Sequence, residues 1–329
     1  MKARLIAITC LARLGAFGEA AAEIEELRTV ADASDDAILR WDFHLSASTV
    51  YGETNHEAAI EDARRALGFA VRVASKLRRY NEALDGHEWA LAAYRDLGRG
   101  PSICEALLNI ISVRMFCGDF ERSRELFKEM LSDMLPYMAL RNELLRGVLA
   151  KHTAHLEDAE RHYLDARRVA REIGASYLCA RSECELADLM MSQGRLHEAR
   201  TWLDAALAAF AKMASPDVEV EALAFSARLL AMQGDAPAAT ELAARVMARC
   251  KEKHFQSYNE IAWNLASAFA TMGDRETATS LAGEAIAAGI YEAMSMPADL
   301  AETFLKLPWH RDAFAYLWAA VHDDTVSCT

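Results

Sequence analysis

Ala106-Leu107-Leu108-Asn109-Ile110-Ile111-Ser112-Val113-Arg114-Met115-Phe116-Cys117-Gly118-Asp119-Phe120-Glu121-Arg122-Ser123 reads as an apolar helix, a Gly-Asp turn and an amphipathic helix. Weaker copies of the same pattern lie on both sides of it. Gly15-Ala16-Phe17-Gly18-Glu19-Ala20 precedes it. Gly194-Arg195-Leu196-His197-Glu198-Ala199, Gly234-Asp235-Ala236-Pro237-Ala238-Ala239 and Gly273-Asp274-Arg275-Glu276-Thr277-Ala278 follow. Two copies lack the glycine, Arg78-Arg79-Tyr80-Asn81-Glu82-Ala83 and Ala154-His155-Leu156-Glu157-Asp158-Ala159. From Gly118 onward the turns fall at 118, 154, 194, 234 and 273, in steps of 36, 40, 40 and 39 residues. A fixed period of this length is the signature of stacked supersecondary units.

Each part of the pattern has a physical cause. Glycine tolerates the left-handed backbone that closes a helix. The polar residue after it starts the next helix. The small residue five positions on (Ala20, Ala83, Ser123, Ala159, Ala199, Ala239, Ala278) lets two antiparallel helices approach closely. Seven residues before the turn, Ala187, Ala227 and Ala266 supply the matching contact, with the bulkier Ile111 in the copy at 118. Apolar residues flank these positions at helical spacing.

The pattern in Ala106–Ser123 resembles that of the tetratricopeptide (TPR) repeat, with Ile110 for the family's Leu, Phe120 for its Tyr, Ser123 for its Ala and Arg114 in place of an aromatic residue. The spacing near 40 exceeds the usual ~34 residues of that repeat. It is similar to the longer repeats of bacterial signalling regulators. The resemblance implies an all-α, right-handed superhelix, an α-solenoid of about seven to eight helical hairpins. Residues 1–296 form the array, with a register break around 43–100 that calls for an extra or unusually long helix. Residues 297–329 form a C-terminal cap and tail: short helices over 300–307 and 312–321 cover the last apolar face. The aromatic residues of that segment (Phe304, Trp309, Phe314, Tyr316, Trp318) alternatively form a homodimer patch. The remaining helices are expected to follow the period, among them 120–134 and 275–288.

Composition agrees with an all-helical chain. The 329 residues are 53% hydrophobic and contain only 15 Gly and 6 Pro, so helix breakers are few. A net charge of −13 argues against nucleic acid as a partner. The most basic run, Arg64 to Arg79, stands at helical spacing beside Glu57, Glu61 and Asp62, as in a solvated face with ion pairs. Seven cysteines without C-x-x-C spacing read as buried free thiols in a reducing compartment. Arg13 interrupts the apolar N-terminal run, which favours a first amphipathic helix over an export signal. No stretch reaches the ~18 apolar residues of a membrane span, so a cytoplasmic location is expected.

The TPR resemblance places particular side chains on the concave groove. These are Asn109 and Ser112; Arg181, Glu185 and Asp188; Phe225 and Arg228; Glu260, Trp263 and Asn264, with Lys151 and His152 from the degenerate copy. Asn109 and Asn264 hold equivalent positions, where the family's asparagines grip a peptide backbone. The alternative is a helix-to-helix hydrogen bond. Arg181 and Arg228 suit a carboxylate by bidentate contact, or else pair with Glu185, Asp188 or Glu221. Phe225 and Trp263 suit an apolar side chain, or belong to the core. His152 and His155 are three apart, but the turn at Ala154 separates them, and no metal site or cofactor is expected. Motifs for a catalytic nucleophile, P-loop or zinc protease are missing from the sequence. The expected function is a regulatory or adaptor scaffold for a protein or peptide ligand. The alternatives are a small-molecule or signal-peptide sensor and an enzyme with its active site in the groove.

Overall fold

In the computed structural model, the described residues are 17–33, 80–96, 98, 100–131, 134–213, 216–252 and 257–326, together with 4, 5, 7, 8, 11, 43, 44 and 47. Among them every regular element is a helix. The helices are α1 (Phe17–Asp32), α2 (Tyr80–Asp96), α3 (Gly100–Phe116), α4 (Phe120–Lys128), α5 (Pro136–His152), α6 (Leu156–Glu172) and α7 (Ser176–Ser192). They continue with α8 (Leu196–Met213), α9 (Pro216–Met232), α10 (Ala236–Glu252), α11 (Tyr258–Met272), α12 (Arg275–Ala293), α13 (Ala298–Leu305) and α14 (Pro308–Val326). The extra helix expected within 43–100 and the basic run Arg64–Arg79 fall outside the described residues, apart from positions 43, 44, 47 and those from Tyr80 onward. None of the described helices is long and apolar enough to cross a membrane.

The chain divides into two compact units, Met1–Val113 and Arg114–Thr329, the division falling inside α3. In the first, Leu5 and Ile8 pack with Ile24, Leu27 and Phe43 in a closed apolar cluster, and Arg4 pairs with Glu23 (2.6 Å) and Glu26 (2.8 Å) above it.

The second unit is a run of helical hairpins: α5 with α6, α7 with α8, α9 with α10, and α11 with α12. The hairpins close by one mechanism. Residues 118, 154, 194, 234 and 273 all have positive φ, between 61° and 84°. The N–H of the next residue donates to a carbonyl five residues back: Asp119 to Arg114, His155 to Ala150, Arg195 to Met190, Asp235 to Leu230, Asp274 to Phe269, at 2.8–3.0 Å. This 6→1 bond is the Schellman closure of a helix end. Ala154, the one alanine in the series, adopts the same conformation at φ 61°. The aspartates then cap the next helix: Asp119, Asp235 and Asp274 accept from the backbone N–H three residues on, at 3.1–3.2 Å. Ser123, Ala159, Ala199, Ala239 and Ala278 are fully buried, as are Ala187, Ala227 and, to 1%, Ala266. A larger side chain there would push the paired helices apart.

Three helix lengths differ from those expected. α4 stops at Lys128 rather than 134, and Leu131 beyond it is exposed. α12 runs one turn past 288, through Gly289, whose bare Cα faces the His310 ring: a Cβ there would lie 2.2 Å from Cε1. α14 begins at Pro308, whose missing N–H and fixed φ suit the first helical turn, and continues to Val326.

α13 and α14 join the two ends of this unit. Leu300, Phe304 and Leu307 are buried. Thr303 Oγ1 donates to the Cys117 carbonyl at 2.7 Å, and Phe304 packs on Phe116 with ring centroids 5.7 Å apart. At the other end His310 sits against Gly289, its Nε2 3.2 Å from Asn259 Nδ2.

Candidate functional site

The first helices of successive hairpins place equivalent residues in rows, and the rows decide the electrostatics. Arg181, Glu221 and Glu260 occupy the same position in α7, α9 and α11, and Asp188 and Arg228 share another. Opposite charges at equivalent positions pair across neighbouring helices. Arg181 reaches Glu221 at 2.6 Å and Arg228 reaches Asp188 at 3.5 Å. Lys151, at the end of α5, reaches Glu185 (2.8 Å) and Asp188 (3.1 Å), and Arg181 also reaches Glu185 at 3.2 Å. Tyr163 donates its hydroxyl to Glu185 at 3.3 Å, and Ser257 donates to Glu221.

Burial works against each of these charges, and the partners outweigh it. Lys151 is held well above its ordinary pKa by Glu185, Tyr163 and Asp188, despite the loss of hydration. Glu185 is brought down to about 2 by Lys151 and Arg181 against the same penalty. For Glu260 the balance tips the other way, and the pull of Arg181 and Lys151 is outweighed. Burial first, and then the neighbouring Glu221 carboxylate, push it up to about 7.

Beside this network lies a cavity of about 430 Å³. α5 contributes Lys151 and His152, α7 contributes Asp188 and Ser192, α9 contributes Phe225 and Arg228, and α11 contributes Glu260, Trp263 and Asn264. Leu156 of α6 and the first turn of α14, with Trp309, Arg311 and Asp312, complete the wall. His152 is stacked on Phe120 (4.7 Å) and meets the edge of Trp309 (5.9 Å). Burial and the adjacent Lys151 lower its pKa to about 4, so near neutral pH it stands as a neutral aromatic wall. Trp263 is braced from behind by Tyr316 of α14 at 6.4 Å.

Eight of the groove residues expected from the sequence therefore meet at one cavity: Lys151, His152, Asp188, Phe225, Arg228, Glu260, Trp263 and Asn264. Arg181 and Glu185 belong to the ion-pair network next to it rather than to its wall. Asn109 and Ser112 lie on α3 in the first unit and are not among the lining residues. Ser112 Oγ donates to the Leu108 carbonyl at 2.8 Å. Asn264 is buried and engaged on both sides. Its Nδ2 donates to the Glu260 carbonyl at 2.9 Å, and its Oδ1 accepts from Arg228 at 3.3 Å. The two histidines flanking Ala154 part company: His155 turns to Thr153, 3.0 Å away. Cys117 and Cys184 are free and buried, with thiol pKa values pushed up to about 12 by burial, so neither is a poised nucleophile.

Sequence reasoning missed the contribution of α14. Trp309, Arg311 and Asp312 lie outside the repeat, and no periodic signal ties them to α5. The pairs of Arg181 with Glu221 and of Arg228 with Asp188 were readable, because each joins opposite charges at equivalent positions of neighbouring repeats.

These hairpins and the groove along their first helices make the fold a TPR superhelix, and several solved structures share it. A Rap protein complexed with competence and sporulation factor is 15% identical, with a TM-score of 0.59 over 98% of this chain and 97% of that one. The Rap conjugation gene regulator of the plasmid pLS20, in complex with the Phr* peptide, is 14% identical, with a TM-score of 0.58 over 98% and 94%. Aspartyl phosphate phosphatase F from Bacillus subtilis is 14% identical, with a TM-score of 0.55 over 97% and 92%. At such identities the likeness is one of fold. No family model matches the sequence, and no curated protein matches it.

Proposed function

We propose that the chain is a regulatory scaffold that holds a peptide, or a peptide-like segment of a partner protein, in the cavity between α5, α7, α9 and α11. The observation that carries this reading is the convergence of aromatic and polar side chains from four successive hairpins on one cavity, at positions where this fold offers its groove. Support also comes from the pLS20 regulator of the same fold, which is in complex with a peptide. Phe225 and Trp263 are assigned to an apolar side chain of the ligand. Asn264 and Arg228 hold one another and form a prearranged polar wall. The ligand role of Asn109 and Ser112 rests on their register in the repeat alone.

About 430 Å³ accommodates two or three residues of a peptide, and it also falls in the range of small-molecule sites. A small-molecule sensor is therefore the second reading. The test is a titration with short synthetic peptides, followed by tryptophan fluorescence, on wild type and on Phe225→Ala and Trp263→Ala. Saturable binding by wild type, weakened about tenfold or more in both variants, supports the peptide reading. Binding unchanged in both variants contradicts it.

The free, buried thiols support an intracellular setting. A homodimer through the C-terminal aromatic segment is a further proposal. Trp318 (69% exposed) and Phe314 stand out from α14, and Tyr291 and Met294 are exposed at the end of α12, the helix it packs against. Size-exclusion chromatography with light scattering distinguishes a dimer from a monomer.

A further inference from the structure

The cavity is lined by both signs of charge, and one charged side chain is left over. Lys151 is committed to Glu185 and Asp188, Arg228 to Asp188 and Asn264, and Arg311 to its neighbour Asp312 at 3.0 Å. The Glu260 carboxyl receives no hydrogen bond and no ion pair from any described residue. The contact that Asn264 makes with this residue goes to its backbone carbonyl.

The row to which Glu260 belongs explains why. Arg181 and Glu221 neutralise one another, and the next member of the row is a second acid. Glu260 therefore faces a like charge where its predecessors face opposite ones. Burial and Glu221 both disfavour its carboxylate and push its pKa up to about 7. A nearby positive charge would remove that penalty. Trp263, one turn further along α11, and Phe225, on α9, line the same cavity. Aromatic faces attract cations and accept the methylenes that carry them. An anionic ligand would meet an acid at this position and would find Arg181 and Arg228 already engaged.

We infer that Glu260 is the anchor for a positively charged group of the ligand, an ammonium or guanidinium set against Trp263 and Phe225. This deepens the peptide reading above and rests on it. It also reverses the sign of ligand charge that Arg181 and Arg228 suggest from sequence. Two sources supply such a group, a Lys or Arg side chain and the free amino terminus of the peptide.

The experiment is affinity selection of short random synthetic peptides on the immobilised full chain, with sequencing of those retained. Enrichment of Arg or Lys at one position, or a strict need for a free amino terminus, is expected. The tightest peptide is then compared with its neutral twin, carrying citrulline for Arg or an acetylated terminus, and the twin that loses affinity identifies the source. Wild type should prefer the charged peptide by about tenfold. Glu260→Gln, which keeps size and polarity, should bind the two alike to within about twofold. Glu260→Asp should retain the preference. A residue of merely structural importance would weaken both peptides equally and leave their ratio intact, and that result overturns the inference. Enrichment of Asp or Glu overturns it too, while leaving the peptide reading in place. If no peptide is retained, both fall.

Discussion

Glu260 carries two consequences at the scale of a single residue. Its carboxyl titrates at about 7 in the folded chain, against an ordinary value of 4.5. Between these values the folded state holds more protons than the unfolded one, so stability falls as pH rises from about 4.5 to about 7. Glu260→Gln removes the effect. Chemical denaturation should find the variant about 1–2 kcal/mol more stable than wild type at pH 8 and no more stable near pH 4.5. An equal difference at both pH values contradicts the assignment. Ala154 holds a left-handed conformation that alanine resists. Its neighbours in the series are glycines, and Ala154→Gly should raise stability by about 0.5–1 kcal/mol, measured as a shift in the denaturation midpoint.

The helical hairpin is the element, and its turns test how the cap is seated. Gly118 and Gly194 have nearly the same φ, 77° and 73°. They differ in what surrounds them. A Cβ at 194 would meet nothing within 4 Å, whereas at 118 it would lie 2.6 Å from the Thr303 carbonyl oxygen of α13. Gly194→Ala should therefore cost only the backbone strain, about 1 kcal/mol. Gly118→Ala should cost about 2–4 kcal/mol, because α13 must shift as well. Equal losses in thermal denaturation would show that α13 does not bear on the turn. The turns themselves were legible from the sequence, Ala154 included, since the small residue five positions on and the helical spacing marked the turn without its glycine. Most of the cavity wall was legible too, because register alone places Asp188, Arg228, Glu260 and Asn264 on one side of their helices. What sequence did not reveal is which of these charges remain unpaired. Pairing depends on distances across helices, and only those distances leave Glu260 over. The contact of Trp309 with His152 and of Thr303 with Cys117 was equally hidden, because it joins segments far apart in the chain without any repeat to mark it.

At the scale of the whole molecule, the second unit is an array in which two uncharged histidines lie where the first turn of α14 meets the hairpins. His310 and His152 have pKa values lowered to about 4, by burial in both and by Lys151 in addition for His152. The unfolded chain takes up these protons near 6.5 and the folded chain only near 4, so stability is present above 6.5 and lost as pH falls toward 4. Each histidine contributes up to roughly 3 kcal/mol to that loss. Melting curves should move to lower temperature across this interval, and His310→Gln should flatten the slope even if its absolute stability is lower. A slope unchanged in the variant contradicts the role given to His310. Between pH 7 and 4.5 Glu260 acts with the opposite sign, and comparison with Glu260→Gln separates the two. The cap also supplies Trp309, Arg311 and Asp312 to the cavity, so the cap and the ligand site are parts of one construction. Occupation of this cavity by a peptide is tested by the crystal structure of the protein with the tightest peptide obtained by affinity selection. Peptide density is expected between α7, α9 and α11, in contact with Phe225 and Trp263 and with a positive group at Glu260. Peptide bound on another face, with the cavity unchanged, contradicts it.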